Sequence, residues 1–449
     1  MYHRATGGES GGCAPAFATT DQREDDWTPV SWSDSLSMKY ERSPHKYHDM
    51  KNTLIRRPDL EFQVERGLKE SQVVSILGPR QCGKTTLARA IATRHSAHIF
   101  DLERETDRRR LEDPQRAFSR LAGLVVIDEV QRMPALFEVL RVEADMVPLR
   151  RRFLILGSAT PFLLKMTSES LAGRVRSVRM TGFMIDETGG KRMGPLWLRG
   201  GFPRSLLAGS DEDSLIWREE FIAAFLERDL PQLEVSIPAA TLRRFWTMLA
   251  HNHGQTWNGS EIGGSLGFAH TTVRRYLDLL TDTFMVRQLP PWTLHAVKRV
   301  VRSPKVYVRD TGLLHALLRI ESVTDLDSHP KRGASWEGFA LEHVLRRVGD
   351  RHASFWATHN GAELDLVIQG KGGRRYGCEF KSQESPAVTK SMHIAMEDLR
   401  LERLWVVHPG PDFYPLAASI EAVPLADMDR ELAGAGLWNK PGSARQRSR

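Results

Sequence analysis

Gly78-Pro79-Arg80-Gln81-Cys82-Gly83-Lys84-Thr85, followed by Thr86, fits the pattern G-x-x-x-x-G-K-[ST]. Each residue type at that spacing has a task toward a polyphosphate. Glycines let backbone N–H groups turn inward and cradle phosphate oxygens. Lys84 reaches the β- and γ-phosphates as a point charge, and the Thr85 hydroxyl is a Mg²⁺ ligand. A helix starting at the end of the loop adds a favourable dipole. The implied ligands are ATP and Mg²⁺, with Gly78 through Thr86 forming the nucleotide-binding loop.

Leu124-Val125-Val126-Ile127-Asp128-Glu129 is an apolar run ending in two carboxylates. Asp128 is expected to hold Mg²⁺, directly or through water, and Glu129 to orient or deprotonate the attacking water. An apolar run ending in acids is weak evidence alone and gains force downstream of a phosphate loop. Phe153 to Thr160 is another strand-like run ending in small polar residues. Ser158 there is a candidate γ-phosphate sensor, with a plain turn as the alternative. Arg174, in Leu171-Ala172-Gly173-Arg174, is a candidate source of positive charge at the transition state. Isolated arginines are more often surface or ion-pair residues.

A second constellation lies near the C-terminus. Asp365 sits in Glu363-Leu364-Asp365-Leu366-Val367-Ile368, and Glu379 and Lys381 sit in Tyr376-Gly377-Cys378-Glu379-Phe380-Lys381. On a strand, residues two apart share a face, so Glu379 and Lys381 point the same way. An Asp followed by Glu-x-Lys on the next strand is the layout of restriction-endonuclease-like sites. Asp365 and Glu379 are then metal ligands, and Lys381 positions or activates water. Glu337, at helical spacing with Leu341, Val344 and Val348, is a further candidate ligand. The bland alternative is an exposed Glu–Lys pair on an edge strand.

Between the two lies Glu261 to Leu280, which reads as helix, turn, helix, with Gly263, Gly264 and Gly267 in or near the turn. Val273, Tyr276, Leu277 and Leu280 form an apolar stripe on the second helix. Thr271, Thr272, Arg274 and Arg275 then face outward as candidate DNA contacts, as on the second helix of a winged helix-turn-helix. The same unit would serve equally as a lid on the nucleotide site or a dock for a partner. Lys298, Arg299, Arg302 and Lys305 form a basic cluster suited to a phosphate backbone or to a solvated strand edge.

Around these motifs, apolar runs at Val73–Leu77, Ala97–Phe100, Leu124–Ile127 and Phe153–Leu156 alternate with helix-forming stretches such as Thr85–Arg94. That alternation predicts a parallel sheet covered on both faces. Residues 205–250 read as mostly helical, and a helix followed by alternating strands from about Lys331 predicts a separate α/β domain. The chain has 449 residues, 41% of them hydrophobic, enough for two or three domains. No stretch nears the roughly 18 uninterrupted apolar residues of a membrane helix, and residues 1–18 lack the apolar core of a secretory signal. Cys13, Cys82 and Cys378 are odd in number and widely spaced, which argues against disulfides or a zinc site and fits a reducing cytoplasm. The net charge of +7 permits a polyanionic partner.

Taken together, these motifs resemble a prokaryotic family of predicted AAA-type ATPases joined to a C-terminal domain of unknown function. That domain is itself similar to restriction-endonuclease-like nucleases. The resemblance spans roughly residues 51–430. It rests on the phosphate loop, Ile127-Asp128-Glu129-Val130-Gln131, Gly157-Ser158, Leu171-Ala172-Gly173-Arg174 and Gly200-Gly201-Phe202-Pro203. It also rests on Thr272 through Leu280 and Asp310-Thr311-Gly312-Leu313. It implies an α/β fold class: a P-loop NTPase parallel sheet, a helical and winged-helix-like middle region, and a C-terminal restriction-endonuclease-like α/β domain. The expected division is a disordered leader at 1–50, with Met38 and Met50 as alternative starts. The AAA-type domain then spans 51–200, the middle region 201–320 and the nuclease-like domain 331–430, before a basic tail at 439–449. The expected function is Mg²⁺-dependent ATP hydrolysis coupled to DNA binding or processing, in a cytoplasmic protein able to form homo-oligomers. The alternative is an ATP-driven regulatory or protein-interaction switch with an inert nuclease-like domain.

Overall fold

A computed structural model describes residues 55–189, 192–231, 237–292 and 303–438. The expected disordered leader with its alternative starts, Cys13, the basic residues Lys298, Arg299 and Arg302, and the tail at 439–449 lie outside the described residues.

The β-branched and apolar runs form the strands they predict. β1 (Val73–Gly78), β2 (Ala97–Asp101), β3 (Gly123–Asp128), β4 (Arg151–Ser158) and β5 (Val175–Arg179) make one sheet in the order β2-β3-β4-β1-β5. Every pairing in it is parallel. Insertion of β4 between β1 and β3 brings Gly78, Ser158 and Asp128 to the same end, because Gly78 pairs with Ser158 and Ile127 with Ile155. Beneath this end a core of Phe118, Phe137, Phe153, Ile127 and Leu163 is fully buried. The helix Lys84–Ala92 starts directly after the phosphate loop, close to the expected bounds.

The middle region is helical where expected. The helix Asp211–Ala224 runs on into a π-turn at Phe225–Asp229, and Ala239–His251 follows. The helix Gly259–Leu266 ends on Gly267 at φ +73°, and His270–Asp282 follows. Val273, Tyr276, Leu277 and Leu280 are buried, as the stripe predicts. β6 (Gln255–Thr256), β7 (Val286–Leu289) and β8 (Lys305–Val308) form a small antiparallel sheet in the order β6-β8-β7. Lys305 therefore begins a central strand. It is 3% exposed, which overturns its expected place on a phosphate-tracking or solvated edge.

Two of the short motifs prove to be one structural joint. Asp310 caps the helix Thr311–Leu318, accepting hydrogen bonds from the backbone N–H of Leu313 (3.1 Å) and of Gly201 (2.8 Å). Gly200 sits at φ +78°, and a Cβ there would lie 2.1 Å from the Asp310 carboxylate. Only glycine lets Gly200-Gly201 close onto Asp310.

The C-terminal domain begins with the helix Arg332–Val348 and continues through six strands: β9 (Ala353–Ala357), β10 (Glu363–Gln369), β11 (Arg375–Phe380), β12 (Arg403–His408), β13 (Tyr414–Ala417) and β14 (Ile420–Pro424). Their order is β13-β14-β12-β11-β10-β9, mixed in direction. The helix Lys390–Leu399 seals one face with Met392, Ala395 and Leu399 against Leu364, Val367 and Leu404. From Arg56 onward the described residues form one compact unit. The helix Arg332–Val348 is the reason. Its Arg346 donates to the Gly182 carbonyl (2.6 Å), its Arg347 bonds Asp59 and Asp429, and its Glu342 binds Arg287 and Arg309.

Candidate functional site

At the C-terminal end of the parallel sheet, the loop Gly78–Gly83 turns tightly, with Gln81 at φ +61° and Gly83 at φ +97°. Gly78 packs against the Met180 carbonyl so closely that a Cβ would lie 2.1 Å from it. Lys84 is 6% exposed, and its Nζ donates to the carbonyls of Gly78 (3.1 Å) and Pro79 (2.8 Å). The Thr85 hydroxyl donates to Asp128 Oδ2 at 2.6 Å, which puts the two predicted Mg²⁺ ligands in direct contact. The backbone N–H of Glu129 donates to Asp128 Oδ1 at 3.0 Å. Cys82 is buried against the Met180 carbonyl, while Thr86 is exposed on the first turn of the helix.

Burial shifts both acids in the same direction. It pushes the Asp128 carboxyl up, opposed by the Thr85 hydroxyl and the Glu129 N–H. It also pushes Glu129 up, opposed first by Lys84. Glu129 stands at φ +54°, and Gln131 Nε2 donates to its carboxylate. A residue held in the left-handed region and tied by a neighbour is aimed, not free to wander. Beside it a cleft of about 270 Å³ is lined by Pro79, Arg80, Gln131, Ser158, Thr160 and Asp229, among others. Ser158 Oγ is buried there without a hydrogen-bond partner. Such an atom is costly to leave unmet, and its residue ends β4, the strand between those that carry the phosphate loop and Asp128. Arg80 pairs with Asp229 of the middle region at 2.7 Å.

Arg174 does not join this site. Its carbonyl accepts from the N–H of Val73, at the opposite end of β1 from Gly78. Its guanidinium grips Asp145 with Nε at 2.6 Å and Nη2 at 2.8 Å. Parallel β5 starts where β1 starts, so the residue preceding β5 cannot reach its own chain's phosphate loop.

Residues 70–189 match the AAA domain model, residues 191–324 a domain of unknown function (DUF8612), and residues 332–428 another (DUF4143). Uncharacterized protein Rv2008c of Mycobacterium tuberculosis and Uncharacterized protein Mb2031c of Mycobacterium bovis are each 50% identical over 371 residues. Those residues are 83% of this chain and 84% of each relative. The chain belongs to their family. Among solved structures, the Walker-type ATPase paby2304 of Pyrococcus abyssi aligns with a TM-score of 0.44 at 14% identity. It covers 59% of this chain and 96% of that one. The phosphate loop, Asp128 and Ser158 all lie within the residues of this chain that match the AAA domain model. No described helix is long and apolar enough to cross a membrane.

In the DUF4143 domain the predicted residues come together with two lysines, Lys305 and Lys381. Glu379 accepts from Lys381 Nζ at 2.7 Å, although β11 ends at Phe380, one residue before the lysine. Asp365 lies at a bulge between Leu364 and Val367, and its Oδ2 accepts from the Phe380 N–H at 3.0 Å. Glu337 faces the same cluster. Among the described residues no group of acids, histidines or cysteines is placed to hold a metal ion. Two of the three expected metal ligands, Glu337 and Asp365, instead contact Lys305, whose Nζ lies 3.2 Å from Glu337 Oε1 and 3.3 Å from Asp365 Oδ1 and also bonds Glu363. Tyr307 donates its hydroxyl to Glu337 Oε1 at 2.6 Å.

On the helix His270–Asp282, Thr271 and Arg275 are exposed, while Thr272 and Arg274 are half-buried. Arg274 Nε reaches Asp278 at 3.2 Å. Sequence reasoning quoted Gln131 inside a motif without giving it a role, and it missed Asp229 and Tyr307 altogether. Only Gln131 carried a local signal, two residues after the Asp-Glu pair.

Proposed function

We propose that this protein is a Mg²⁺-dependent ATPase whose nucleotide cycle acts on a nucleic-acid transaction through the middle and C-terminal domains. The contact between Thr85 and Asp128 at 2.6 Å, beside an aimed Glu129, carries the hydrolytic part. A hydroxyl and a carboxylate converging next to a phosphate loop suit Mg²⁺, which when bound supplies charge against the β- and γ-phosphate oxygens. The N–H groups of residues 79–84 bind the phosphates. Lys84 leaves the loop carbonyls to meet the β- and γ-oxygens. Glu129 orients the attacking water, and Ser158 donates to the γ-phosphate. The Arg80–Asp229 pair gives the middle region a contact with the loop that senses the nucleotide.

For DNA, the support is the exposure of Thr271 and Arg275 on one helix face, with Thr272 and Arg274 at its margin. In this reading Lys381, held by Glu379, stays near any phosphate that reaches the C-terminal cluster. A second reading is an ATP-driven switch with an inert nuclease-like domain, and the Lys305 ammonium among the acids favours it. The decisive assay is Mg²⁺-dependent ATP turnover of wild type against Lys84→Ala. Equal rates would end the ATPase reading. A salt titration of DNA affinity tests the partner: a steep fall of log K with log salt is expected, and a flat or absent response removes nucleic acid. Homo-oligomer formation, with Arg174 reaching a neighbouring copy, predicts specific activity that falls on dilution.

A further inference from the structure

Lys305 is a middle-region residue sitting inside a C-terminal cluster. It opens β8, the central strand of the small sheet, and its Nζ lies among carboxylates of Glu337, Glu363 and Asp365. Tyr307, two residues along, shares its strand face and bonds the same Glu337 oxygen. Phe355 of β9 closes the side, with its ring centroid 5.7 Å from Nζ. The separations of 3.2 and 3.3 Å are hydrogen-bond distances from an ammonium. A divalent metal needs the same oxygens at about 2.0–2.6 Å and would stand against a fixed positive charge. A further observation marks this cluster as more than a group of acids. Glu379 Oε2 is buried, aimed inward and without a partner, so one acceptor is left over once Lys305 and Lys381 have taken theirs.

We infer that Lys305 is a tethered cation that closes the Glu337–Asp365–Glu379 cluster to divalent metal ions. In this arrangement the C-terminal domain is a metal-free ionic clasp on the middle region. Four carboxylates (Glu337, Glu363, Asp365 and Glu379) face two ammonium groups (Lys305 and Lys381). Removing the Lys305 charge while keeping its volume leaves a cluster with the charge and oxygens for one dication. A metal-dependent reaction at this site requires β8 to withdraw first.

The test is Mn²⁺ binding to the full chain without nucleotide, followed by loss of the free-ion EPR signal. Wild type, Asp365→Asn, Lys305→Met and Lys305→Met/Asp365→Asn are compared, with Lys305→Arg as a charge-retaining control. Wild type, Asp365→Asn and Lys305→Arg should bind Mn²⁺ alike. Lys305→Met should gain one site per chain, at least about tenfold tighter than any wild-type site, and the double variant should lose it. An Asp365-dependent Mn²⁺ site in wild type overturns the inference, as does a folded Lys305→Met protein with no gain. If Lys305→Met does not fold, the wild-type and Asp365→Asn pair still decides. No ATP is used, so a failure here leaves the ATPase reading untouched.

Discussion

Glu342→Gln probes the joint between the middle and C-terminal domains. Glu342 is 5% exposed and accepts from Arg287 Nε and Nη2 (3.1 Å) and from Arg309 Nε (3.4 Å) and Nη2 (3.2 Å). Neutralising one member of a buried pair costs about 3–5 kcal/mol, because the partner's charge stays behind. Two arginines stay behind here, but not equally. Arg287 keeps Asp350 at 2.5 Å, whereas Arg309 keeps the Phe284 ring at 5.2 Å and the longer-range charge of Asp350. The expected loss is therefore about 3 kcal/mol, near the lower end of that range. Equilibrium urea unfolding followed by tryptophan fluorescence, with Trp336 and Trp356 as reporters, measures it. An Arg309→Met partner completes a double-mutant cycle, with an expected coupling of at least about 1 kcal/mol. The sign with pH is also fixed. Burial alone would raise the Glu342 carboxyl, but Arg287 and Arg309 hold it far below the ordinary value of 4.5. Its contribution is complete above that value and fades only as pH falls below it. The difference between wild type and variant should be the same at pH 6 and pH 8. A loss under about 0.5 kcal/mol, typical of a surface position, would refute the view that these domains share one buried ionic joint.

Acid should weaken the same body earlier than its carboxylates alone predict. Burial lowers His253 and His315 to about 3 from 6.5. His315 Nδ1 donates to the Leu198 carbonyl, and its Nε2 accepts from Ser335, which Trp197 holds in place. Both rings are neutral when folded and take up protons when unfolded. Stability is then lost as pH falls below 6.5, by up to about 1.4 kcal/mol per unit per ring. A melting temperature equal at pH 7 and pH 5 would count against this. In the nucleotide site, Glu129→Gln should lower kcat by about 10²–10⁴ with ATP affinity nearly unchanged, since the loop and Lys84 hold the phosphates. A fall of less than tenfold would deny Glu129 its role on the water.

The nucleotide site was readable because its parts are local. One loop and one strand end carry Lys84, Thr85, Asp128 and Glu129, and a parallel sheet must bring strand C-termini to one edge. What failed depended on which strands become neighbours. Arg174 follows a promising motif, but β5 pairs with β1 from its start, which puts the residue at the wrong end. Lys305 reads as one of four basic residues, and no local pattern says that its strand is central. The partners of that lysine come 32 to 60 residues later, on elements whose packing only the tertiary fold determines. Asp365 was recognised, but the bulge that turns it toward Phe380 breaks the strict alternation on which strand reasoning rests.

Arg347 gathers Asp59, Asp186 and Asp429, three carboxylates from three remote segments. A ribosome delivers them in order. Asp59 emerges 288 residues before its counterion, and Asp429 follows 82 residues after it. Until Arg347 appears, Asp59 and Asp186 stand close with no such cation between them. Between the emergence of Asp186 and that of Arg347, the nascent chain thus holds two acids of this cluster without their shared counterion. The complete cluster, one guanidinium among three carboxylates, exists only once Asp429 has left the tunnel.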